Sequence, residues 1–499
     1  MNLDVLIAGA GPTGLAMAAE LARYGVSVRA IDKAPQRTDK SKAIVIWSRT
    51  LELMDSMGCS QSFIDEGLKV TAANITAGAE KIGRIALDGI ASPHPYALML
   101  PQSDSERLLE QQLNACGAQL ERSVELTRFT STADEVISTL RHADGHEETV
   151  NSAWLIGCDG AHSVVRHQLG VEFTGSTMPS NWLLADLHLA GVPNPGEITV
   201  SWHKDGVLAI FPISSDRFRV IADVGGASGN AESSEQSDLT LQEVQHVLNQ
   251  RGPEGIKASN PVWLAYFHIN ERKVSDYRAG RVFLVGDAAH IHSPAGGQGM
   301  NTGIQDACNL AWKLALACHG TCAPEPLLGS YSVERSAVGD EVLKNAGRLT
   351  EVAILRGELK QSIRNHLLSL LLGFYPVRHI AADTLSELAI GYPKSPLTVD
   401  AGHHHGGPAA GARAPIHNND EPIGAGNRPR FAFCSAPAEE ASRLITRYPQ
   451  LLEANARKPY EAGGLWLVRP DGYVGFAAKA NAWDEAANYL DQIGTQKTQ

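Results

Sequence analysis

Leu3-Asp4-Val5-Leu6-Ile7-Ala8-Gly9-Ala10-Gly11-Pro12-Thr13-Gly14 is the stretch that decides the fold. A short apolar run breaks into glycines, and an Ala/Leu-rich stretch follows as far as Tyr24-Gly25. That order predicts a strand, a tight turn, a helix and a glycine stop. Val26 to Ile31 is β-rich and ends in Asp32, so the opening residues form one βαβ unit with parallel strands. Glycines at 9, 11 and 14 let the backbone turn sharply, approach a pyrophosphate and pack the helix on its strand, with amide donors aimed at the anion. A dinucleotide is implied, held by this loop with Pro12 and Thr13, and Asp32 is placed to accept from ribose hydroxyls. The bland alternative for Asp32 is a solvated strand-end carboxylate, which the surrounding strand, loop and helix disfavour. The chain has no second fingerprint of this kind, so one dinucleotide is resident and any other visits transiently.

Two further apolar runs feed turns that belong to the same sheet. Trp154-Leu155-Ile156-Gly157-Cys158 leads into Asp159-Gly160-Ala161-His162-Ser163-Val164-Val165-Arg166 and opens a helix. Alone, Asp159 could merely cap that helix and Arg166 could be a surface charge. Val282-Phe283-Leu284-Val285 leads into Gly286-Asp287, and Ser293-Pro294-Ala295-Gly296-Gly297-Gln298-Gly299-Met300-Asn301 runs into a long helix reaching Cys318. Asp287 can bind a ribityl hydroxyl. The glycines admit a flat ring, and the helix N-terminus offers positive potential as that ring gains negative charge. Ile304, Ala307, Ala311, Leu314 and Ala315 form the core face of the helix.

Composition sets the frame around these motifs. The chain has 499 residues, 43% hydrophobic and 20% charged, as expected of a packed protein with several domains. A formal net charge of -12 without a Lys/Arg stripe argues against a nucleic-acid partner. Seven cysteines without paired spacing suit a reducing cytoplasm. The N-terminus lacks the basic start of a signal peptide, and the apolar stretch Leu367 to Tyr375 is too short for a membrane span. Alternating apolar residues between Asn181 and Phe267 predict an inserted antiparallel sheet, with no helix before Leu239. The expected fold is α/β: a doubly wound dinucleotide-binding domain (1–75, 98–178 and 275–390) and a sheet-built substrate domain (76–97 and 179–274). A Gly/Pro/His-rich linker (391–427) and a small C-terminal domain (428–499) follow, with Arg469-Pro470-Asp471-Gly472 as the tip of a hairpin. His403-His404-His405 reads as a solvated loop, because consecutive histidines cannot all face one ion, and no metal is expected.

Taken together, the glycine fingerprint, the Asp-Gly turn and the Gly-Asp turn with its Pro-Ala-Gly-Gly-Gln-Gly-Met-Asn loop resemble those of the single-component FAD-dependent aromatic hydroxylases. In layout the chain is most similar to the phenol and polyketide hydroxylases of that family. The resemblance implies a glutathione-reductase-like FAD domain and a thioredoxin-like C-terminal domain. It implies non-covalent FAD contact for Gly9, Gly11, Gly14, Asp32, Lys33, Lys42, Gln102, Asp159, Asp287, Pro294, Gly297, Gly299, Met300 and Asn301, and nicotinamide use assisted by His162 and Arg166. Asp32-Lys33 stands where many relatives have Glu-Arg, and Lys42 where arginine is frequent, so a planar fork is replaced by a point charge at each basic position. The C-terminal domain has no Cys-x-x-Cys pair, which argues against redox work there.

What the resemblance implies for chemistry is NADH or NADPH reducing FAD, O2 adding to the reduced ring as a C4a-hydroperoxide, and one oxygen atom passing to an aromatic small molecule. Trp47, Trp182, Trp202, Phe211 and Tyr266 are candidates for an aromatic pocket. A phenol reacts best as phenolate, and His94, His203, Asp223 and His268 are candidate acceptors, unranked against surface polar roles. Baeyer-Villiger or ring-opening oxygenation, and a flavin protein without turnover, are the alternatives. The Gly-Trp-x-Trp-x-Ile-Pro segment of halogenases does not occur. The expected assembly is a monomer or homodimer.

Overall fold

The computed structural model describes residues 3–38, 41, 43–78, 80–226, 238–353, 358–402, 406–416 and 421–494. Strand Leu3–Ala8 lies at the centre of the first sheet, parallel to Val28–Asp32 on one side and to Glu147–Gly157 on the other. Val282–Leu284 continues it in parallel beyond Glu147–Gly157, and Leu120–Arg122 beyond Val28–Asp32. Val5, Leu6 and Ile7 are completely buried, as a parallel strand covered on both faces requires. Each such aliphatic side chain contributes roughly 1.5–3 kcal/mol when fully buried. Helix Pro12–Arg23 packs between helices Gln102–Ala115 and Gly299–Cys318, which fixes the glycine loop at the carboxyl end of the sheet.

The second sheet is eight-stranded and largely antiparallel. Its long strands Thr174–Ala190 and Lys257–Lys273 pair across almost their whole length. Ala72–Ala77 joins it in parallel with Ile198–His203, and Glu80–Ala86 closes that edge. One face carries Leu183, Ala185, Leu208, Ile210 and Val220 against helix Leu241–Arg251, whose start is fixed by a Thr240/Glu243 capping box. The other face carries Trp182, Trp202 and Val207 under Leu368 of helix Glu358–Gly373.

Helix Gly299–Cys318 is buried all round. Its apolar face, read from the sequence, packs in the main core. The opposite stripe, Gln305, Asp306, Asn309 and Lys313, is equally buried and meets charged partners. The C-terminal unit has a four-stranded sheet, ordered Val399–Asp400, Val474–Lys479, Gly464–Val468 and Ala432–Cys434, with helices Glu439–Arg447 and Trp483–Ile493. The stretch expected to be a linker is therefore partly sheet: Val399–Asp400 is its edge strand, and Tyr392 and Ala414 are buried. Glycine and proline there serve turns within a packed unit, whereas a free tether would leave them solvated. His403, His404, His405 and Lys42 lie outside the described residues. Among the described residues no helix is long and apolar enough to cross a membrane. Cys59, Cys116, Cys158, Cys308, Cys318 and Cys322 form no disulfide, and Cys59, Cys158, Cys308, Cys322 and Cys434 are buried.

Candidate active site

The three motif turns meet where Ala8, Gly157 and Leu284 end side by side in register. Gly9 has φ +101°, and a Cβ there would lie 2.4 Å from the Cys158 carbonyl oxygen, so the first loop and the Asp159 turn touch backbone to backbone. A Cβ on Gly14 would lie 1.9 Å from the Gly9 carbonyl oxygen. Thr13 wedges against the third turn, its Oγ1 2.8 Å from a Cβ built on Gly286 and 2.4 Å from one built on Gly303. Gly11 differs, because a Cβ there would meet nothing within 4 Å. No side chain caps the helix that begins at Pro12, so its first-turn amides face this open space.

The carboxylates around that space are held by backbone amides. Asp32 accepts from Ala10 N at 2.7 Å and from Ala34 N at 2.8 Å, which orients it while leaving lone pairs for hydroxyls. Asp159 accepts from Val165 N at 3.1 Å through Oδ2, while its buried Oδ1 has no partner. A buried unpaired oxygen is costly unless a ligand donor completes it. Asp287 is exposed on the short turn Gly286–Ala288. This set of open amides, a waiting carboxylate oxygen and a glycine-lined gap fits the pyrophosphate and sugar hydroxyls of a dinucleotide. Replacing Asp159 by alanine is expected to raise the dissociation constant for FAD about tenfold, in line with one charge-assisted hydrogen bond. Quenching of flavin fluorescence on titration of cofactor-free protein checks this.

The loop Ser293 to Asn301 is clasped from a distant part of the chain. Asn301 accepts from Trp47 N at 2.8 Å and donates to Val45 O and Gly297 O, each at 2.9 Å. Trp47 Nε1 donates to Gly296 O at 2.9 Å. Trp47, expected to line a pocket, is thus a buried clasp on the glycine loop. Pro294 is exposed, Gly297 and Gly299 are half-buried, and Met300 is buried at the start of the helix. Lys33 is exposed at the rim. The Gln102 side chain is engaged within the protein, accepting from Ala43 N at 3.2 Å and donating to Glu106 at 2.9 Å.

His162 is exposed, whereas Arg166 is buried and donates to Ala161 O at 2.7 Å and Ala288 O at 3.0 Å. Its guanidinium also lies over the Phe173 ring. Arg166 therefore ties the second turn to the third, which leaves its donors little reach toward a second nucleotide. Trp182 and Trp202 share one apolar cluster, and Ile75 and Val200 join it to a second cluster holding Trp47 and Phe211. Tyr266 stands apart: it pairs in register with Leu183, packs on the face covered by helix Leu241–Arg251, and donates to Glu243 at 3.2 Å. Strand alternation places it there.

The candidate acceptors disperse. His94 is buried between Asp55, at 2.7 Å, and the Tyr96 hydroxyl, beside a cavity of about 300 Å³ bordered by Ile423 and Asp471. Asp223 is completely buried, accepts from Val207 N at 2.6 Å and pairs with Arg251 at 3.4 Å, a structural role. His203 sits by Asp205, its pKa lowered by desolvation, and His268 is exposed.

Sequence reasoning missed the polar groups beneath the helix Gly299–Cys318. His290 Nε2 lies 2.8 Å from Asp306, which also accepts from Gly286 N at 3.1 Å. His292 stacks beside His290, and burial pulls its pKa down to about 4, so it is neutral. Glu387, buried at φ 61°, accepts from Thr302 at 3.1 Å and from Gln305. The only signal in the sequence was a row of polar residues spaced along an apolar helix. Burial pushes the Glu387 carboxyl up to about 8 from 4.5, so the folded chain retains a proton that the unfolded chain loses. Arg335 and Asp306 face it with opposing effects. The Glu387 contribution to unfolding free energy therefore falls as pH rises from about 4.5 to about 8 and then levels off, while that of His292 rises between about 4 and 6.5, so the net fall is expected between about 6.5 and 8 and Glu387→Gln is expected to remove it. Urea titrations across this range measure it.

The FAD binding domain family matches residues 2–346. An uncharacterised aromatic compound monooxygenase of Bacillus subtilis is 31% identical over 97% of this chain and 96% of its own. The 6-methylpretetramide 4-monooxygenase of Streptomyces rimosus is 33% identical over 94% of this chain and 90% of its own. Among solved structures, the anhydrotetracycline hydroxylase of Streptomyces rimosus superposes with a TM-score of 0.80 at 28% identity, covering 99% of each chain.

Proposed function

The chain belongs to the FAD-dependent aromatic monooxygenases, and from that premise we propose that its substrate is a substituted or multi-ring phenol that it hydroxylates against the inner face of the second sheet. It is an oxidoreductase that uses FAD, NAD(P)H and O2. Bound FAD supplies hydride acceptance from the nicotinamide and activation of dioxygen for oxygen transfer.

The chain's own residues would do the rest. The amides of the Gly9 to Gly14 loop would hold the pyrophosphate, Asp32 the adenosine ribose, Asp159 and Asp287 the ribityl hydroxyls, and the Gly296 to Asn301 loop the ring. The start of the long helix would stabilise negative charge on the ring's pyrimidine edge. The apolar wall built on Trp182, Trp202 and Phe211 would orient a flat substrate and keep water from the reacting centre.

The observation that carries this reading is the joining of both aromatic clusters into one wall whose lower end, through Trp47, is hydrogen-bonded to the ring-binding loop. Two of the relatives named above act on 6-methylpretetramide and anhydrotetracycline, which agrees with a broad, flat substrate. NAD(P)H oxidation measured against a panel of phenols and polycyclic quinones tests the reading, with mass analysis of the product. Stimulation by multi-ring phenols and a gain of one oxygen atom are expected. Coupling only to a small single-ring acid would overturn the substrate class, and a cleaved or ring-expanded product would overturn hydroxylation.

A further inference from the structure

The C-terminal domain has no Cys-x-x-Cys pair for redox work, yet its hairpin tip is buried in the flavin domain. Arg469 grips Glu334 with both terminal nitrogens, at 2.6 and 2.9 Å, and donates to Asp471 through Nε at 3.0 Å. Glu334 also accepts from Lys313 Nζ at 2.8 Å and Asn309 Nδ2 at 2.7 Å, both on helix Gly299–Cys318. Burial alone would raise the Glu334 carboxyl, but Arg469 and Lys313 hold it well below the usual range, so it stays ionised.

The next residue carries the contact onward. Arg335 donates to Asp306, to Thr302 O at 3.1 Å and to the Tyr392 hydroxyl at 2.9 Å. Asp306 in turn receives Gly286 N, the amide immediately before Asp287. Arg469, Glu334, Arg335 and Asp306 are each at most 2% exposed, so water screens none of these contacts. Tyr392 packs against Tyr473 of the C-terminal unit with ring centres 4.4 Å apart and planes tilted by 50°, so the Arg335 bond to its hydroxyl is a second tie to that unit.

We propose that the C-terminal domain is a brace for flavin binding: its Arg469-Pro470-Asp471-Gly472 tip, through Glu334, Arg335 and Asp306, holds the turn that presents Asp287. Arg469 and Asp306 are positioning residues in this scheme. The inference rests on the reading of Asp287 as a flavin ligand.

The test is FAD affinity of the full-length, cofactor-free protein, with the visible flavin spectrum and the melting temperature of the same samples. Arg469→Gln is expected to raise the FAD dissociation constant about tenfold and to shift the flavin bands, with partial recovery in Arg469→Lys. A cycle combining Arg469→Lys with Asp306→Asn is expected to depart from additivity by severalfold, since the two sites share one network. Tyr392→Phe, which removes only a hydroxyl, carries the same test if Arg469→Gln does not fold, with about a threefold loss expected. A lowered melting temperature with unchanged FAD affinity and spectrum overturns the brace, as does strict additivity in the cycle. Asp287→Ala separates the failures: affinity lost there but not at Arg469 overturns the brace alone, and affinity lost at neither overturns the reading of the turn as well.

Discussion

A Gly14→Ala protein is expected to purify colourless and to bind FAD at least about a hundredfold more weakly than the wild type, a loss of roughly 3 kcal/mol. The added methyl would lie 1.9 Å from Gly9 O and 3.0 Å from Gly9 C, and its nearest neighbours are therefore backbone that cannot swing aside. Relief requires the helix to shift away from the loop, which opens the amide cradle and loosens the packing of a fully buried segment. Gly11→Ala is the control, because its methyl meets no protein atom within 4 Å but occupies the gap assigned to the pyrophosphate. Its cofactor-free melting temperature is expected to match the wild type while its FAD affinity falls. Calorimetry of both cofactor-free proteins, beside flavin titration, separates collapse of the loop from blockage of the site.

The second large effect is expected at Glu334. Replacing it with alanine leaves Lys313 and Arg469 buried without the carboxylate they share, and breaking one side of a buried ion network costs about 3–5 kcal/mol. Asp471 remains near Arg469 but already accepts two of its nitrogens, so it cannot replace Glu334 at Lys313. The unfolding midpoint is expected to drop by roughly 3–5 °C, measured by calorimetry. Glu334→Gln should recover little of it, because the amide keeps the shape and loses the charge. A midpoint unchanged in both proteins would show that the network adds nothing to stability.

These sites differ in how far the sequence exposes them. The Gly9 loop, the strand before it and the helix after it were legible because their determinants are local: a turn needs glycine wherever it occurs. The parallel return of Glu147–Gly157 and Val282–Leu284 was legible for the same reason, as apolar runs that end in turn residues. The clasp between Trp47 and Asn301 was not, since its partners are 254 positions apart and each alone looks like ordinary core or cap. Tyr266 shows the limit of composition, because an aromatic residue in a strand declares its type but not its face. Asp306, Asn309 and Lys313 lie off the apolar face read from the sequence, and distant partners make that side an interior: His290 and Arg335 at Asp306, and Glu334 at Asn309 and Lys313. The stretch 391–427 erred in the opposite sense, its Gly and Pro content hiding an edge strand and buried turns.

Six of the thiols bear on how the enzyme withstands its own side reactions. Dioxygen that takes two electrons without passing an atom to substrate ends as hydrogen peroxide, and peroxide oxidises cysteine through its thiolate. Burial raises the thiol pKa at Cys59, Cys116, Cys158, Cys308, Cys318 and Cys322, so these groups keep their protons through the neutral range. Cys158, packed directly behind the first glycine loop, is among them, so its oxidation by peroxide is expected to be slow.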